Sequence, residues 1–418
     1  MTKRTTVVQF PGWRRLLRTN ANGNPYPDLA NVMIALRNEP GFSVAFAYDE
    51  MQRQSIIRAK PPLAPGTEAG EMIFPRPVDD DDVSRLQEWL QTVMPKVGRE
   101  HIYWALELFC HDNSIHPVRL WMRTREIGVR QPILHNWLSF ALGVPNDAYH
   151  NEVGRRFAIA MVARIMEPGC QADYMLVLEG PQGKLKSQFC RVLAGAEYFS
   201  DHIPSLSGDQ VRLSMHLRGK SLVEISELAA FSKVADVETL KAFVTRRVEI
   251  YTPKYGRKER HEPRQCLFIG TTNTDDWIKD ETGARRFWPV KVVHVDLEWL
   301  AEYRDQLFAE AVEAYDAGEP WWPDPNFERR VIAPHQDKRQ FYDNWTDRVL
   351  DLANTLTAVT IAQIWVGMGS VSHGGGDLTR LDMYAQKRIA AILKKDGYEK
   401  ARMTGGRIVW RKPEKNEG

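Results

Sequence analysis

The sequence predicts an α/β fold in which a parallel sheet, covered by helices, lies between a helical N-terminal region and a smaller C-terminal module. Three observations lead there. From Tyr174 onward, short apolar and β-branched runs (MLVLEG, KSLVEIS, CLFIGTTN, RFWPVKVV) are separated by segments of helical spacing, the pattern of buried parallel strands with crossover helices. The first run passes through a glycine-bearing turn straight into a helix. A hydrophobic content of 43 % over 418 residues is also sufficient to fill the cores of two or three domains.

In chain order, residues 1–78 read as a loop-rich module, with NANGNPYPD and PPLAPGTEAGE breaking up short apolar runs. Residues 79–170 read as a helical domain. Asp79 to Asp82 precede VSRLQEWLQTVM and serve as cap and first-turn acids of a helix. Helical spacing continues through HIYWALELFCHDN, PILHNWLSFALG and NEVGRRFAIAMVARIMEPG, which Pro-Gly terminates. Such a block suits a collar that holds subunits together. Residues 171–325 hold the sheet, PWWPDPNF reads as a linker, and residues 336–413 form the last module.

Composition narrows the function classes. The net charge of +2 announces no strongly basic domain, so any nucleic-acid surface must be local. Cys110, Cys170, Cys190 and Cys266 form no CxxC pair, which points away from zinc or a disulfide framework and towards reduced, buried thiols. No run approaches the ~18–20 apolar residues of a membrane span, and the basic N-terminus lacks an apolar h-region. The expectation is a cytoplasmic protein that does not meet a membrane.

The chemistry concentrates after the first strand. In LEGPQGKLKSQ, Gly180, Gly183, Lys186 and Ser187 have the spacing of a phosphate-binding loop, where backbone N–H groups and a helix N-terminus cradle phosphates. Lys184 and Gln188 complete the candidate nucleotide-binding set. Lys186 would neutralise β- and γ-phosphate oxygens and Ser187 would ligate magnesium. Leu185 stands where glycine is usual, so it must either hold glycine's conformation or alter the loop. The second strand ends in Glu224 and Glu227, acids suited to magnesium and to the attacking water. Alternation puts Glu224 opposite Val223 and Ile225, which leaves an exposed ion-pair role open to it and makes Glu227 the better catalytic candidate. Asn273, at the tip of the third strand, can hydrogen-bond the attacking water or the γ-phosphate. Arg285 and Arg286 precede the last strand, where a guanidinium can act across a subunit interface or pair with Asp280 or Glu281.

With these elements in order, the chain resembles the virulence-associated E family of phages and mobile elements. The resemblance rests on LEGPQGKLKS, LVEISEL, ETLKAFVTRRVEIYTPKYGR, FIGTTN followed by KDETGARRFWPV, and the C-terminal block, and it covers most of the chain from about residue 90. It implies a P-loop ATPase core, AAA+-like and of the superfamily-three helicase type, that uses ATP and Mg2+ as a homo-hexamer on single- and double-stranded DNA. It also implies nucleotide roles for Lys186 and Ser187, acidic roles for Glu224 (magnesium) and Glu227, a sensor role for Asn273 and a finger role for Arg285 or Arg286. Leu185 departs from the common loop, and Thr252 stands where the family leads one to expect arginine. Relatives often carry a primase ahead of the helicase. No primase acid pattern is visible here, so a separate primase is the expected partner.

Two segments are candidates for DNA contact. VEIYTPKYGRKERHEPRQC reads as a hairpin that could enter a ring's channel, with Lys254, Arg257, Lys258 and Arg260 tracking phosphates and Tyr251 and Tyr255 stacking on bases. At the C-terminus, TIAQIWVGM, LTRLDMYAQKRIAAILKKDGYEKARM and GGRIVWRK give the helix, basic helix and β-wing order of a winged helix. Arg388, Lys394, Arg407 and Arg411 are its candidate DNA contacts. The leading function is thus an ATP-dependent DNA helicase or translocase. The alternative is a nucleotide-binding replication scaffold with little turnover.

Overall fold

A computed structural model describes residues 12–68, 70, 72–124, 130–228, 234–254, 256, 258–274, 277, 284–339, 344–369, 377–403, 406 and 408–413. The chain divides into a unit of residues 1–339 and a unit of residues 340–418.

The N-terminal part of the first unit is more ordered than its loop-rich text suggests. Helices α1 (Leu29–Asn38) and α2 (Phe42–Ala45) accompany a small sheet of order β3-β2-β1-β4, built from β1 (Phe46–Asp49), β2 (Gln54–Ile57), β3 (Arg76–Pro77) and β4 (Ser114–Ile115). Strands of two to four residues carry too little periodicity to be read beforehand. Asp79 caps α3 (Asp80–Gln91) in a reciprocal box with Asp82, as the acidic run predicts. This helix and α4 (Arg99–Asp112) pack on the small sheet through Leu86, Trp89, Leu90 and Phe109, in one core with Phe42, Phe46 and Ile57.

The remaining helices of the predicted helical block belong to a different core. After α5 (Pro117–Thr124), helices α6 (Trp137–Leu142) and α7 (Ala148–Met166) pack with the main sheet. Residues 79–170 are thus shared between two cores.

The main sheet has five parallel strands in the order β11-β5-β10-β7-β6: β5 (Met175–Glu179), β6 (Phe199–Ser200), β7 (Leu222–Ile225), β10 (Leu267–Thr272) and β11 (Phe287–Lys291). Both faces are covered. Leu176, Leu178, Ile269 and Val290 pack in one core with α7, α8 (Lys186–Ala194) and α11 (Leu297–Asp316). Met175, Val177, Val223, Ile225 and Phe268 pack in another with α9 (Gln210–His216) and α10 (Val234–Thr245). Burial on both faces explains why the strands read as continuous apolar runs. Between β7 and β10 stands an antiparallel hairpin, β8 (Val248–Tyr251) and β9 (Arg260–Pro263), joined by residues 252–259. After α11 come two short helices, α12 (Pro325–Phe327) and α13 (Ala333–Asp337).

The second unit contains α14 (Thr346–Asn354), α15 (Ile361–Met368), α16 (Met383–Lys395) and the antiparallel pair β12 (Glu399–Arg402) and β13 (Ile408–Arg411). Its core joins Val349, Ile364, Ile389, Leu393 and Trp410. Val359 and Trp410 exchange backbone hydrogen bonds of 2.8 and 2.9 Å, which tie the segment before α15 to the hairpin.

Candidate functional site

In an open parallel sheet, ligands bind outside the carboxyl ends of the strands. Here β5, β7 and β10 all end at one cavity of about 320 Å³, lined by residues 182–188, Glu224, Ser226, Glu227 and residues 271–273. The strand tips position each group, and the buried sheet beneath them keeps the tips in place.

The turn from β5 to α8 has glycine backbone at Gly180 (φ 151°) and Gly183 (φ 84°), and a Cβ at Gly183 would meet nothing within 4 Å. Leu185 is the residue before α8 and holds φ 58° and ψ 19°, the left-handed conformation that glycine adopts without cost. For a leucine this costs roughly 1–2 kcal/mol. Glu227 is also left-handed (φ 54°), and Arg53 is the one other non-glycine residue with positive φ among the described residues. Two of these three strained residues therefore line the same cavity, as is typical of functional sites.

Lys186 is buried, and its ammonium donates to the Gly180 carbonyl, the Pro181 carbonyl (3.0 Å) and Asn273 Oδ1 (3.3 Å). Burial lowers its pKa, opposed by the nearby Glu224 carboxylate. Ser187 Oγ donates to Glu224 Oε1 at 2.9 Å, and Thr271 Oγ1 donates to the same oxygen at 2.7 Å. Glu224 is 2 % exposed, so the ion-pair role at the surface is excluded: a strand covered on both faces has no outward pleat. Burial raises its pKa against the two hydroxyl donors. Its other oxygen, Oε2, is buried with no partner among the described residues. The N-terminus of α8 has no side-chain cap, so its first amides remain available to an anion. Lys184 lines the cavity, yet its ammonium donates to the Val293 carbonyl at 2.9 Å.

One neighbouring group was not foreseen in the sequence. Glu179, fully buried at the end of β5, accepts from Trp277 Nε1 (2.8 Å) and from Arg339 Nη2 (2.9 Å). The only textual signal is an acid closing an apolar strand, and nothing in the sequence names partners 98 and 160 residues away.

The arginine pair lies elsewhere. Phe287 pairs with Met175, so Arg285 and Arg286, in a single turn before β11, stand where the strands begin. A strand of five residues puts ~16 Å between that edge and the glycine turn. Arg285 is exposed and acts electrostatically on Glu328 and Tyr174.

The hairpin rises at this same edge on a charged base. Arg264, fully buried, donates to Glu249 Oε1 at 2.5 Å, and Ser214 Oγ donates to Oε2 at 2.7 Å. Burial pushes Glu249 up, but Arg264 and Ser214 hold its pKa below the ordinary value. Glu262 pairs with Arg218 (2.5 Å) and with Arg53 (3.0 Å), and Arg53 also donates to the Pro263 carbonyl (2.5 Å). Lys254, Lys258 and Arg260 are exposed towards the other end of the hairpin. Tyr251 is buried, with the Arg218 guanidinium 5.6 Å from its ring centroid, so it is not available to stack on a base. Tyr255 and Arg257 lie outside the described residues.

In the second unit, Lys394 and Arg411 are exposed. Arg388 is engaged within the fold, its guanidinium 3.9 Å from the Trp345 ring centroid and bonded to Asn344 Oδ1 at 2.5 Å. Arg407 lies outside the described residues. All four cysteines are buried and free. Among the described residues no helix is long and apolar enough to cross a membrane.

A family model, the virulence-associated protein E-like domain, matches residues 125–341. No curated protein matches the chain in sequence. The A form apo structure of the NrS-1 C-terminal region (305–718) is similar over 93 % of this chain and 100 % of that one, at 13 % identity and a TM-score of 0.50. A second apo structure of that region covers 87 % of this chain and 94 % of its own, at 14 % identity and a TM-score of 0.43. The first likeness concerns the fold, an α/β architecture with a parallel sheet and many helices.

Proposed function

Because the chain belongs to the virulence-associated protein E-like family, we propose that it is an ATP-driven, ring-forming DNA helicase or translocase serving replication of a phage or other mobile element. The observation that carries this reading is Glu224, buried between Ser187 and Thr271 beside Lys186 with one oxygen unpartnered. A buried carboxylate with a vacant lone pair, next to a hydroxyl, is an oxygen donor set for a hard cation such as magnesium. Ser187 and Glu224 would hold that ion, which supplies charge neutralisation on the β- and γ-phosphate oxygens. Lys186 is caged by carbonyls and Asn273, contacts that phosphate oxygens can replace, and the uncapped amides of α8 add the helix dipole. Asn273 orients the γ-phosphate or the attacking water, and Glu227 or Glu224 polarises that water.

Arg285 and Arg286 cannot reach the cavity of their own chain across the sheet, so their role in turnover is on a neighbouring subunit in a hexamer. The basic hairpin tracks a single strand, the second unit grips duplex DNA through Lys394 and Arg411, and a separate primase works with the motor. The same reading puts the protein in the host cytoplasm. The alternative of a scaffold with little turnover rested on Leu185, and its left-handed backbone argues for a loop of ordinary shape.

ATP hydrolysis measured with and without single-stranded DNA tests the reading. Magnesium-dependent turnover should rise with DNA and vanish in Lys186→Ala. Turnover indifferent to DNA, or unchanged in that variant, would refute it.

A further inference from the structure

Where the strands of the main sheet begin, a cavity of about 470 Å³ is walled by Cys170, Asp173 and Tyr174 ahead of β5, by Arg247 ahead of β8, and by Trp321 and Trp322 after α11. None of the roles assigned above uses it. Its size is within the range of small-ligand sites.

The walls offer three kinds of contact. Trp321 and Trp322 stand edge to face with centroids 5.1 Å apart, and Trp321 is pinned by its indole N–H, which donates to the Gln171 carbonyl at 2.6 Å. Trp322 is 49 % exposed, a large aromatic face left to solvent. Arg247 uses Nε to hold the Gly169 carbonyl at 2.7 Å, and its two terminal nitrogens have no protein partner among the described residues. Asp173 accepts from Gln171 through Oδ2 at 2.5 Å, while Oδ1 is buried without a partner. Glu167 adds a second carboxylate to the wall, and a purely apolar ligand would leave the cation and both acids unused. An aromatic ring bearing amino donors and carrying a phosphate uses all three, since bases stack on aromatic side chains, carboxylates accept from exocyclic amines and guanidinium groups meet phosphates.

Position favours a nucleotide within a strand over a free one. Arg247 directly precedes β8, so the cavity opens at the foot of the hairpin whose far end carries Lys254, Lys258 and Arg260. Four strand residues separate the two by ~13 Å.

We propose that this cavity is a base-holding subsite for single-stranded nucleic acid, with a base against Trp322, its amino edge towards Asp173 and the adjoining phosphate on Arg247. The proposal rests on the reading of the chain as a nucleic-acid motor.

Binding of a fluorescent single strand of about 15 residues, followed by anisotropy, tests it when compared with an equally charged strand lacking every base. Trp322→Ala should weaken the normal strand about tenfold and leave the baseless strand unchanged, and Trp322→Phe should restore most of the loss. Arg247→Ala should flatten the salt dependence of binding by about 0.7. If Trp322→Ala binds both strands as the wild type does, or loses both equally, the subsite is refuted while the motor reading stands. If the wild type binds neither strand, the motor reading itself fails.

Discussion

The tips of the main sheet's strands and the foot of the hairpin at its other edge use polar groups differently. Where the strands end, Glu224 keeps an unpartnered oxygen, the first turn of α8 is uncapped, and Leu185 and Glu227 hold left-handed backbone. Where they begin, the buried charges at the foot of the hairpin are paired, Arg264 with Glu249 and Ser214, Glu262 with Arg218 and Arg53, although Asp173 Oδ1 and Arg264 Nη2 on that side have no partner among the described residues. The first edge carries strain and unsatisfied polarity, costs that a ligand can offset. The second resembles a mounting, whose ion pairs fix the base of a hairpin that carries exposed cations. On the proposed function, the difference separates residues that would act from residues that hold, although both edges are charged.

The largest effect expected on stability belongs to the mounting. Arg264→Ala leaves the buried Glu249 with only Ser214 and the half-exposed Arg246 (3.1 Å) beside it, and should cost roughly 3 kcal/mol or more in urea unfolding, whereas Lys186→Ala at the other edge removes a desolvated charge together with its hydrogen bonds and should cost about 1 kcal/mol or less. Equal losses would erase the contrast. Next comes His116, which receives the Arg119 amide on Nδ1 at 3.1 Å and is depressed by burial to about 4. Its neutral form is favoured by folding, so stability present above pH ~6.5 should decline as pH falls towards about 4, by up to ~3 kcal/mol. A flat profile in wild type, or an unchanged one in His116→Gln, would contradict this.

Glu224 has the opposite sign. Burial raises its pKa, so its protonated form is favoured in the fold, and stability declines as pH rises through the folded value. Glu224→Gln keeps an acceptor for both hydroxyls and should remove that decline, leaving the variant more stable than the wild type at pH 7 but without magnesium-dependent turnover. The smallest effect is that of Leu185→Gly. Relief of the left-handed strain is partly cancelled by glycine's entropy, for a net gain of about 0.5 kcal/mol and retained nucleotide binding. Loss of binding would mean that the leucine side chain itself contacts the ligand.

Much of the sheet was legible because doubly covered parallel strands are written as unbroken apolar runs, and β5, β7, β10 and β11 all lie within the runs that predict them. Strand β6, two residues long, carries no such pattern. The same double burial defeats the alternation argument at Glu224, since with no solvent face the pleat does not say which side is exposed. Helices α3, α4, α6 and α7 could be foreseen from their spacing, but an apolar stripe does not name what it packs against, and they divide between two cores. In the candidate site, Lys186, Ser187, Glu224 and Asn273 converge because consecutive strand tips of a parallel sheet share one edge. The Glu179, Trp277 and Arg339 contacts and the ion pairs beneath the hairpin join residues far apart in sequence, and a single chain's text holds no record of such pairings.

Calorimetric titration of ATP into the wild type and Lys186→Ala, with and without magnesium, tests the central claim that the edge where the strands end is a nucleotide site. The account predicts one site per chain that weakens when magnesium is removed, and at least about tenfold weaker binding in a variant that remains folded. Binding by Lys186→Ala equal to that of the wild type, or no binding by the wild type, would contradict it.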